Sequence, residues 1–323
     1  MKKILFHCDS LGFRGVTNAT IDYAEYNQSV LGNESTIVYN AAFDATKGLD
    51  IGSNQDVINL IKSKYKVVSY TNNKELNDIA ANYDLFYTLR GGLKEDFNVT
   101  TCKTAVHVVF QFFDPHGDVY AYISEFLSNE VTGGKSPFVP HVVDMPQPNP
   151  ESRKSLREFM KIPEDNFVFG RLGGLYTFDK DFVKSAIIDI VNERDDITFV
   201  LVNTHRFYDH PNIIHVEPLF ERQIKSDYVS MCDGMIHARN LGESFGLSIC
   251  DFLFHDKPVL SWEGGFDRNH VLMLKDYDLL YNENNVKQKM IDLKNKPKMD
   301  YKGIVAPYTP EKVMAKFNEV FIK

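Results

Sequence analysis

Residues 237–251 read His237-Ala238-Arg239-Asn240-Leu241-Gly242-Glu243-Ser244-Phe245-Gly246-Leu247-Ser248-Ile249-Cys250-Asp251. Glu243 closes a loop, Ser244–Leu247 open an apolar helix, and Asp251 falls eight residues beyond Glu243. Along a helix, eight residues span roughly 12 Å. That is the reach from a sugar ring, across a diphosphate, to a ribose. The first helical turn between the two carboxylates offers unpaired backbone N–H groups and the positive end of a dipole, which suits a diphosphate. One short segment can therefore grip all three parts of a nucleotide-sugar. On spacing alone, the plainer reading is preferred: an ordinary capped helix that carries two acidic residues.

The segment continues through Phe252-Leu253-Phe254-His255-Asp256-Lys257-Pro258-Val259-Leu260-Ser261-Trp262-Glu263-Gly264-Gly265. With Glu243, Phe245-Gly246-Leu247, Pro258-Val259 and Gly264-Gly265 at their offsets, it resembles the signature of family-4 retaining glycosyltransferases of the GT-B fold. In that family a Glu-x7-Glu pair flanks a Phe-Gly-Leu helix start, and a Pro-Val strand with a Gly-Gly turn follows. The second carboxylate here is Asp251, one methylene shorter.

The resemblance implies an α/β chain of two Rossmann-like domains facing across a cleft, with a C-terminal helix that crosses back to the first domain. It also implies transfer of a sugar from a nucleotide-diphosphate sugar, a UDP- or GDP-sugar first among them, to a carbohydrate or glycan acceptor, with retention. By the same resemblance Glu243 bonds donor-sugar hydroxyls and steadies oxocarbenium charge. Asp251 binds the ribose, and the N–H groups of Phe245, Gly246 and Leu247 meet the diphosphate. His237 and Arg239 precede Glu243 on the same loop and join the donor set.

Gly170-Arg171-Leu172-Gly173-Gly174 resembles the family's Gly-Arg-Leu element, which makes Arg171 a diphosphate ligand and Gly173 and Gly174 its donor-side loop. An Arg fork suits this because it makes paired charge-assisted hydrogen bonds. The family's Lys five or six residues later is replaced by Tyr176 and Thr177, with Lys180 or Arg239 as substitutes. Gly15, in the first glycine-bearing loop, corresponds to the family's loop near the donor phosphates. The family also places a first-domain His near the donor sugar. His107 is that candidate, evenly balanced against a hydrogen-bonded core histidine, and His116 on a loop competes with it. Arg14, Arg90 and His116 are acceptor-side candidates, although Arg90-Gly91-Gly92 also fits a simple tight turn. Asp276-Tyr277-Asp278 has the form of a metal-holding Asp-x-Asp element but reads as an exposed helix end, so no catalytic metal and no prosthetic group are expected.

These residues need two α/β halves to position them. The 323 residues suffice for two domains with their own cores. In the first, Lys3–Cys8, Ser35–Tyr39, Lys66–Ser69, Leu85–Thr88 and Ala105–Val109 read as strands. Thr17–Leu31, Asp56–Ser63 and Lys74–Asn82 read as helices between them. Phe138–Asp144 resembles the strand and turn that close the family's first domain. In the second half, Phe167–Arg171, Thr198–Val202, Ile213–His215, Gly234–His237 and Val259–Ser261 read as strands. Asp179–Glu193, Ser244–Phe254 and Pro310–Phe321 read as helices. Such alternation implies parallel sheets with crossover helices and ligands at the carboxyl ends of the strands. Three prolines within 145–150 mark an interdomain linker. The expected domains are 1–147, acceptor-side, and 148–309, nucleotide-sugar-binding, with 310–323 packing back on the first.

Composition narrows the classes further. A net charge of −8 argues against a nucleic-acid partner, whose phosphates are met by Lys and Arg. An anionic donor must then be held by local positive features. Hydrophobic and charged contents of 43% and 25% are those of a globular protein. Cys8, Cys102, Cys232 and Cys250 have no metal or redox spacing. No run approaches the ~18 apolar residues of a membrane span, and the apolar start is too short for a signal peptide. The expectation is a cytoplasmic protein, with its oligomeric state left open. Two other functions share these features. One is a nucleotide-sugar epimerase or hydrolase of the same fold, which would work on the donor alone. The other is a binding protein that has lost catalysis.

Overall fold

The structure is a computed structural model that describes residues 1–43, 52–95, 98–297 and 299–323. Among these the chain forms two units, Met1–Val142 with Pro307–Lys323, and Val143–Ala306.

The first unit carries a parallel sheet of β1 (Lys3–Cys8), β2 (Glu34–Asn40), β3 (Val67–Tyr70), β4 (Leu85–Arg90), β5 (Lys103–Val108) and β6 (Val119–Tyr122), in the order β3-β2-β1-β4-β5-β6. Its central strands read as near-continuous apolar runs because helices cover both faces. Ile4, Leu5, Phe6 and Phe86 are accordingly buried. The second unit repeats the plan with β7 (Phe167–Arg171), β8 (Ile197–Val202), β9 (Ile213–Val216), β10 (Gly234–His237), β12 (Val259–Trp262) and β14 (Leu280–Tyr281), in the order β14-β12-β10-β7-β8-β9. A two-residue parallel pair, β11 (Gly242–Glu243) with β13 (Asp267–Arg268), stands apart. Counted in chain order, both large sheets run 3-2-1-4-5-6, the doubly wound arrangement. The strand order therefore reverses between β1 and β4 in one unit and between β7 and β10 in the other. Ligand crevices open at the carboxyl ends of strands at such a reversal.

Several elements differ from expectation. The first helix spans Gly15–Ser29. The key helix spans Leu247–Phe254 and starts three residues late. Gly246 takes φ +97°, a left-handed conformation that breaks the helical path before it. The helices Glu125–Thr132, Ser152–Phe159, Arg222–Met231, Asn269–Leu274, Val286–Leu293 and Lys302–Val305, and the strands β6 and β14, escape the sequence reading. The proline-rich stretch belongs to the second unit, where Pro146 O accepts from Ser226 Oγ at 2.6 Å. Phe138 contributes only an isolated bridge to Tyr122.

The last helix, Pro310–Phe317, begins with Pro in its first turn and widens into a π-type turn over Asn318–Ile322. It belongs to the first unit, whose core it completes. Phe317 lies 5.3 Å from the Tyr23 ring and 5.1 Å from Tyr87, and Phe321 lies 5.0 Å from His107.

Candidate active site

The strand-order reversal of the second sheet gathers the residues read from 237–251. β10 ends at His237 and the chain turns through Arg239 to Glu243 on β11. Gly242 is required there, since a Cβ on it would overlap the Asp267 carbonyl that faces it across β11 and β13. The turn is tied to the loop after β7 by Asp179, whose N–H donates to Ala238 O at 3.1 Å. The Asp179 carboxylate accepts from Asn240 N at 2.7 Å.

Glu243 is mostly buried and gripped from two sides. His237 Nε2 donates to Oε1 at 3.1 Å and Arg239 Nη1 donates to Oε2 at 3.1 Å. A carboxylate only accepts, so Nε2 of His237 carries a proton. Nδ1 of the same ring meets Ser261 Oγ at 2.7 Å. The Glu243 N–H donates to His270 Nδ1 at 3.2 Å, and His270 Nε2 donates to Trp262 O at 2.9 Å. Burial alone would raise the Glu243 pKa. The His237 hydrogen bond and the Arg239 charge outweigh it and hold the carboxyl at about 2. Burial, with the His237 ring as a further cause, pushes His270 down to about 4. Two of the four acceptor positions on the carboxylate are thus used, and two remain for hydroxyls.

The chain then passes Phe245, which is buried with its carbonyl held by Asn269 Nδ2 at 2.8 Å, and Gly246. Cys250 N–H closes on Gly246 O, so the amides of the turn before it start the helix with no partner inside it. Asp251, partly buried on this helix, has its pKa raised to about 6 by burial, against the opposing charges of Lys225 and Arg222.

Arg171 does not have the freedom the resemblance implies. It is 2% exposed. Its Nη1 donates to Val202 O and Asn203 O at 2.7 Å, and its Nη2 to Gly174 O at 2.6 Å and Thr177 Oγ1 at 2.7 Å. The fork is committed to backbone carbonyls and the Thr177 hydroxyl and holds the Gly173-Gly174 turn in place, so both Nη atoms already have partners. Burial lowers its pKa to about 10. Of the two substitutes for the missing Lys, Arg239 is committed to Glu243. Lys180 Nζ sits 4.1 Å from the Trp262 ring centroid and 3.0 Å from Asn240 Oδ1.

Arg14, Gly15, Arg90, His107 and His116 belong to the first unit. His107 lies inside the sheet, opposite Leu89, with no exposed surface, as in the core-histidine reading of the two given for it. Its Nδ1 is 2.6 Å from Tyr87 Oη, and its Nε2 faces Val139 O at 2.8 Å and Tyr122 O at 3.1 Å. With both nitrogens satisfied and burial lowering its pKa to about 3, it is a neutral core ring. Arg90 is also buried, and its Nη1 pairs with Asp9 at 2.8 Å and Glu95 at 2.7 Å where the first sheet reverses. Arg14 is exposed at the start of the first helix, and a Cβ on Gly15 would meet nothing within 4 Å. His116 Nδ1 lies 2.6 Å from Asp114 O. Sequence reasoning missed Asp9, Glu95, Ser261, Asn269 and His270. Only Ser261, at the end of the Pro-Val strand, had a local signal.

Asp276 lies in a single 3-10 turn and Asp278 takes φ +53°, paired with Lys289 and Lys296. Among the described residues no group of three His, Cys, Asp or Glu could hold a metal ion, and no helix is long and apolar enough to cross a membrane.

Solved structures share this architecture. Anabaena HepE in complex with UDP-glucose matches with a TM-score of 0.73 at 14% identity over 99% of each chain. A glycosyltransferase from Rickettsia africae matches with a TM-score of 0.71 at 15% identity, over 99% of this chain and 97% of that one. WaaG, a glycosyltransferase involved in lipopolysaccharide biosynthesis, matches with a TM-score of 0.63 at 9% identity, over 98% and 99%. The chain has the GT-B fold. No protein-family profile and no curated protein matches its sequence. In this GT-B chain each unit brings its own strand-order reversal. One carries the Glu243 network and the other the Arg90–Asp9 pair.

Proposed function

We propose that this protein is a retaining glycosyltransferase that moves a sugar from a nucleotide-diphosphate sugar to an acceptor hydroxyl without a metal. The observation that carries this reading is the Glu243 carboxylate, fixed between His237 and Arg239 one glycine turn before the Leu247–Phe254 helix. The two free acceptor positions on Glu243 bond donor-sugar hydroxyls, and its negative charge steadies the oxocarbenium character that develops as the sugar leaves. The helix-start amides meet the departing diphosphate with donors fixed in advance, which is electrostatic stabilisation without metal. Lys180, beside the same loop, adds positive charge. Asp251 takes the ribose hydroxyls. Arg171 contributes indirectly, by holding the Gly173-Gly174 turn. The acceptor is a carbohydrate, the first unit serves the acceptor and the second the donor, and the cytoplasm is the compartment.

HepE holds UDP-glucose, so UDP-sugars are the first donors to try. The test is a thermal-shift panel of UDP, GDP, ADP, CMP and dTDP with their sugar conjugates. A ligand that binds only the folded state raises the unfolding midpoint. A shift confined to one nucleotide family identifies the donor class. No shift with any of them overturns the reading.

A further inference from the structure

Three phenylalanine rings stand in solvent on the loop that follows β5. Phe110, Phe112 and Phe113 are 42%, 46% and 56% exposed. Leu93, on the loop after β4, is 50% exposed. An apolar cluster held in water at one spot costs free energy and marks a binding surface.

This loop is built to hold its rings out. Tyr122 Oη donates to Phe112 O at 2.7 Å, and Tyr120 Oη donates to Gly92 O at 2.7 Å, which ties the two loops together. Phe112 N–H closes on Phe110 O at 2.9 Å, and Lys94 N–H donates to the Asp114 carboxylate at 2.9 Å. Phe110 packs edge-on to Phe112, and Phe113 edge-on to Tyr120. The rings therefore keep their orientation without covering one another. Val109 N–H bonds Arg90 O, so the loop starts beside the buried Arg90 and its Asp9 and Glu95 partners, where the first sheet reverses.

Rigid aromatic faces beside carboxylates fit one ligand chemistry. A pyranose has a C–H face that lies on an aromatic ring, drawn to its negative π-surface, and an edge of hydroxyls that donate to carboxylates. An anionic lipid surface fits poorly, because on the two loops the acids Glu95 and Asp114 outnumber Lys94 and the whole chain carries −8. We infer that Phe110, Phe112 and Phe113 form a sugar-binding ledge that seats a pyranose ring of the acceptor, with Asp9 and Glu95 taking its hydroxyls. This assignment rests on the glycosyltransferase reading and narrows it to an acceptor whose recognised part is an uncharged or amino sugar.

Saturation-transfer NMR on the full chain tests it, with UDP and the methyl glycosides of glucose, galactose, mannose and N-acetylglucosamine as probes. The expected result is transfer to ring C–H protons of at least one glycoside, reduced about tenfold in Phe110→Ala/Phe113→Ala while the UDP signal persists. Both side chains are exposed, so the variant tests the surface rather than folding. Glycoside signals equal in variant and wild type, or absent while UDP signals are strong, overturn the ledge. Loss of the UDP signal in wild type counts against the donor reading instead. Wild-type binding to phosphatidylglycerol vesicles, with no glycoside signal, would replace the sugar with a lipid surface.

Discussion

Glu243 Oε1 lies 3.1 Å from Nε2 of His237, and the far nitrogen of that ring lies 2.7 Å from Ser261 Oγ. The carboxylate is therefore held through a line of three side chains drawn from β10, β11 and β12. Its orientation is set before any ligand arrives, which is what stabilising a short-lived positive charge requires.

Glu243→Gln keeps the shape and removes the charge. Turnover of the donor sugar should fall by about 100-fold or more, the scale seen when one preorganised electrostatic group is lost. Nucleotide affinity, read by thermal shift, should be nearly unchanged. Wild-type turnover in this variant would remove Glu243 from the mechanism.

The same residue shapes acid stability. Its carboxyl is held at about 2 in the folded chain against an ordinary 4.5, so the ionised form favours folding. That contribution is full above about 4.5 and is lost as pH falls from there toward 2. Acid unfolding of Glu243→Gln should show a shallower slope in this window than wild type.

Asp251 has the opposite sign. Its folded value of about 6 lies above the ordinary 3.8, so the folded state holds a proton that the unfolded state has released. Stability should fall as pH rises from about 4 to 6, and Asp251→Asn should remove that step. The ionised form is the better acceptor for ribose hydroxyls, so nucleotide affinity should climb through pH 6 and flatten above it. Asp251→Ala should weaken nucleotide binding about tenfold or more, the worth of a hydrogen bond to a charged group. Calorimetric titration across pH 5–8 reads both effects, and a flat affinity profile would exclude the ribose contact.

Arg171→Ala should act on stability first. It takes the donor from the partly buried Asn203 carbonyl, at about 1–3 kcal/mol for an unsatisfied group, while Val202 O keeps only its bond from Thr204 Oγ1. Arg171→Lys should not rescue it, because a single ammonium cannot span the partners of both Nη atoms. Thermal unfolding is the check. A normal midpoint with loss of nucleotide binding would return Arg171 to the diphosphate.

Phe317→Ala should cost about 3–5 kcal/mol, the range for deleting a buried aromatic ring. Phe317 is fully buried against Tyr23 and Tyr87. Chemical denaturation of the variant reads the loss, and an unchanged midpoint would mean the last helix contributes nothing to this core.

Most of the alternating α/β pattern was legible because the buried parallel strands are short apolar runs bounded by turns. The helix Ser152–Phe159 was not, for it has no apolar stripe. It is anchored by polar contacts, with Arg157 donating to Met231 O and to the Asp233 carboxylate. β6 was missed because Tyr120 and Tyr122 spend their hydroxyls on loops that the sequence does not pair with them. At the site, Glu243, His237 and Arg239 were legible as one segment. The commitment of the Arg171 fork was not, and His107 stayed balanced between site and core, because local sequence gives a side chain's type and not its hydrogen-bond partners. Asn269 and His270 reach the site only through tertiary packing.

The chain leaves the first unit after Val142 and re-enters it at Pro307. A ribosome delivering this protein therefore finishes the whole of the later unit while the earlier one still lacks Phe317 and Phe321, the rings that seal its interior. Order of synthesis and order of completion are reversed, although domains generally mature in the order they emerge. Until the last helix arrives, Tyr87 and His107 wait on an unfinished sheet, so a stalled nascent chain would carry a closed second half and a first half still open to chaperones and proteases.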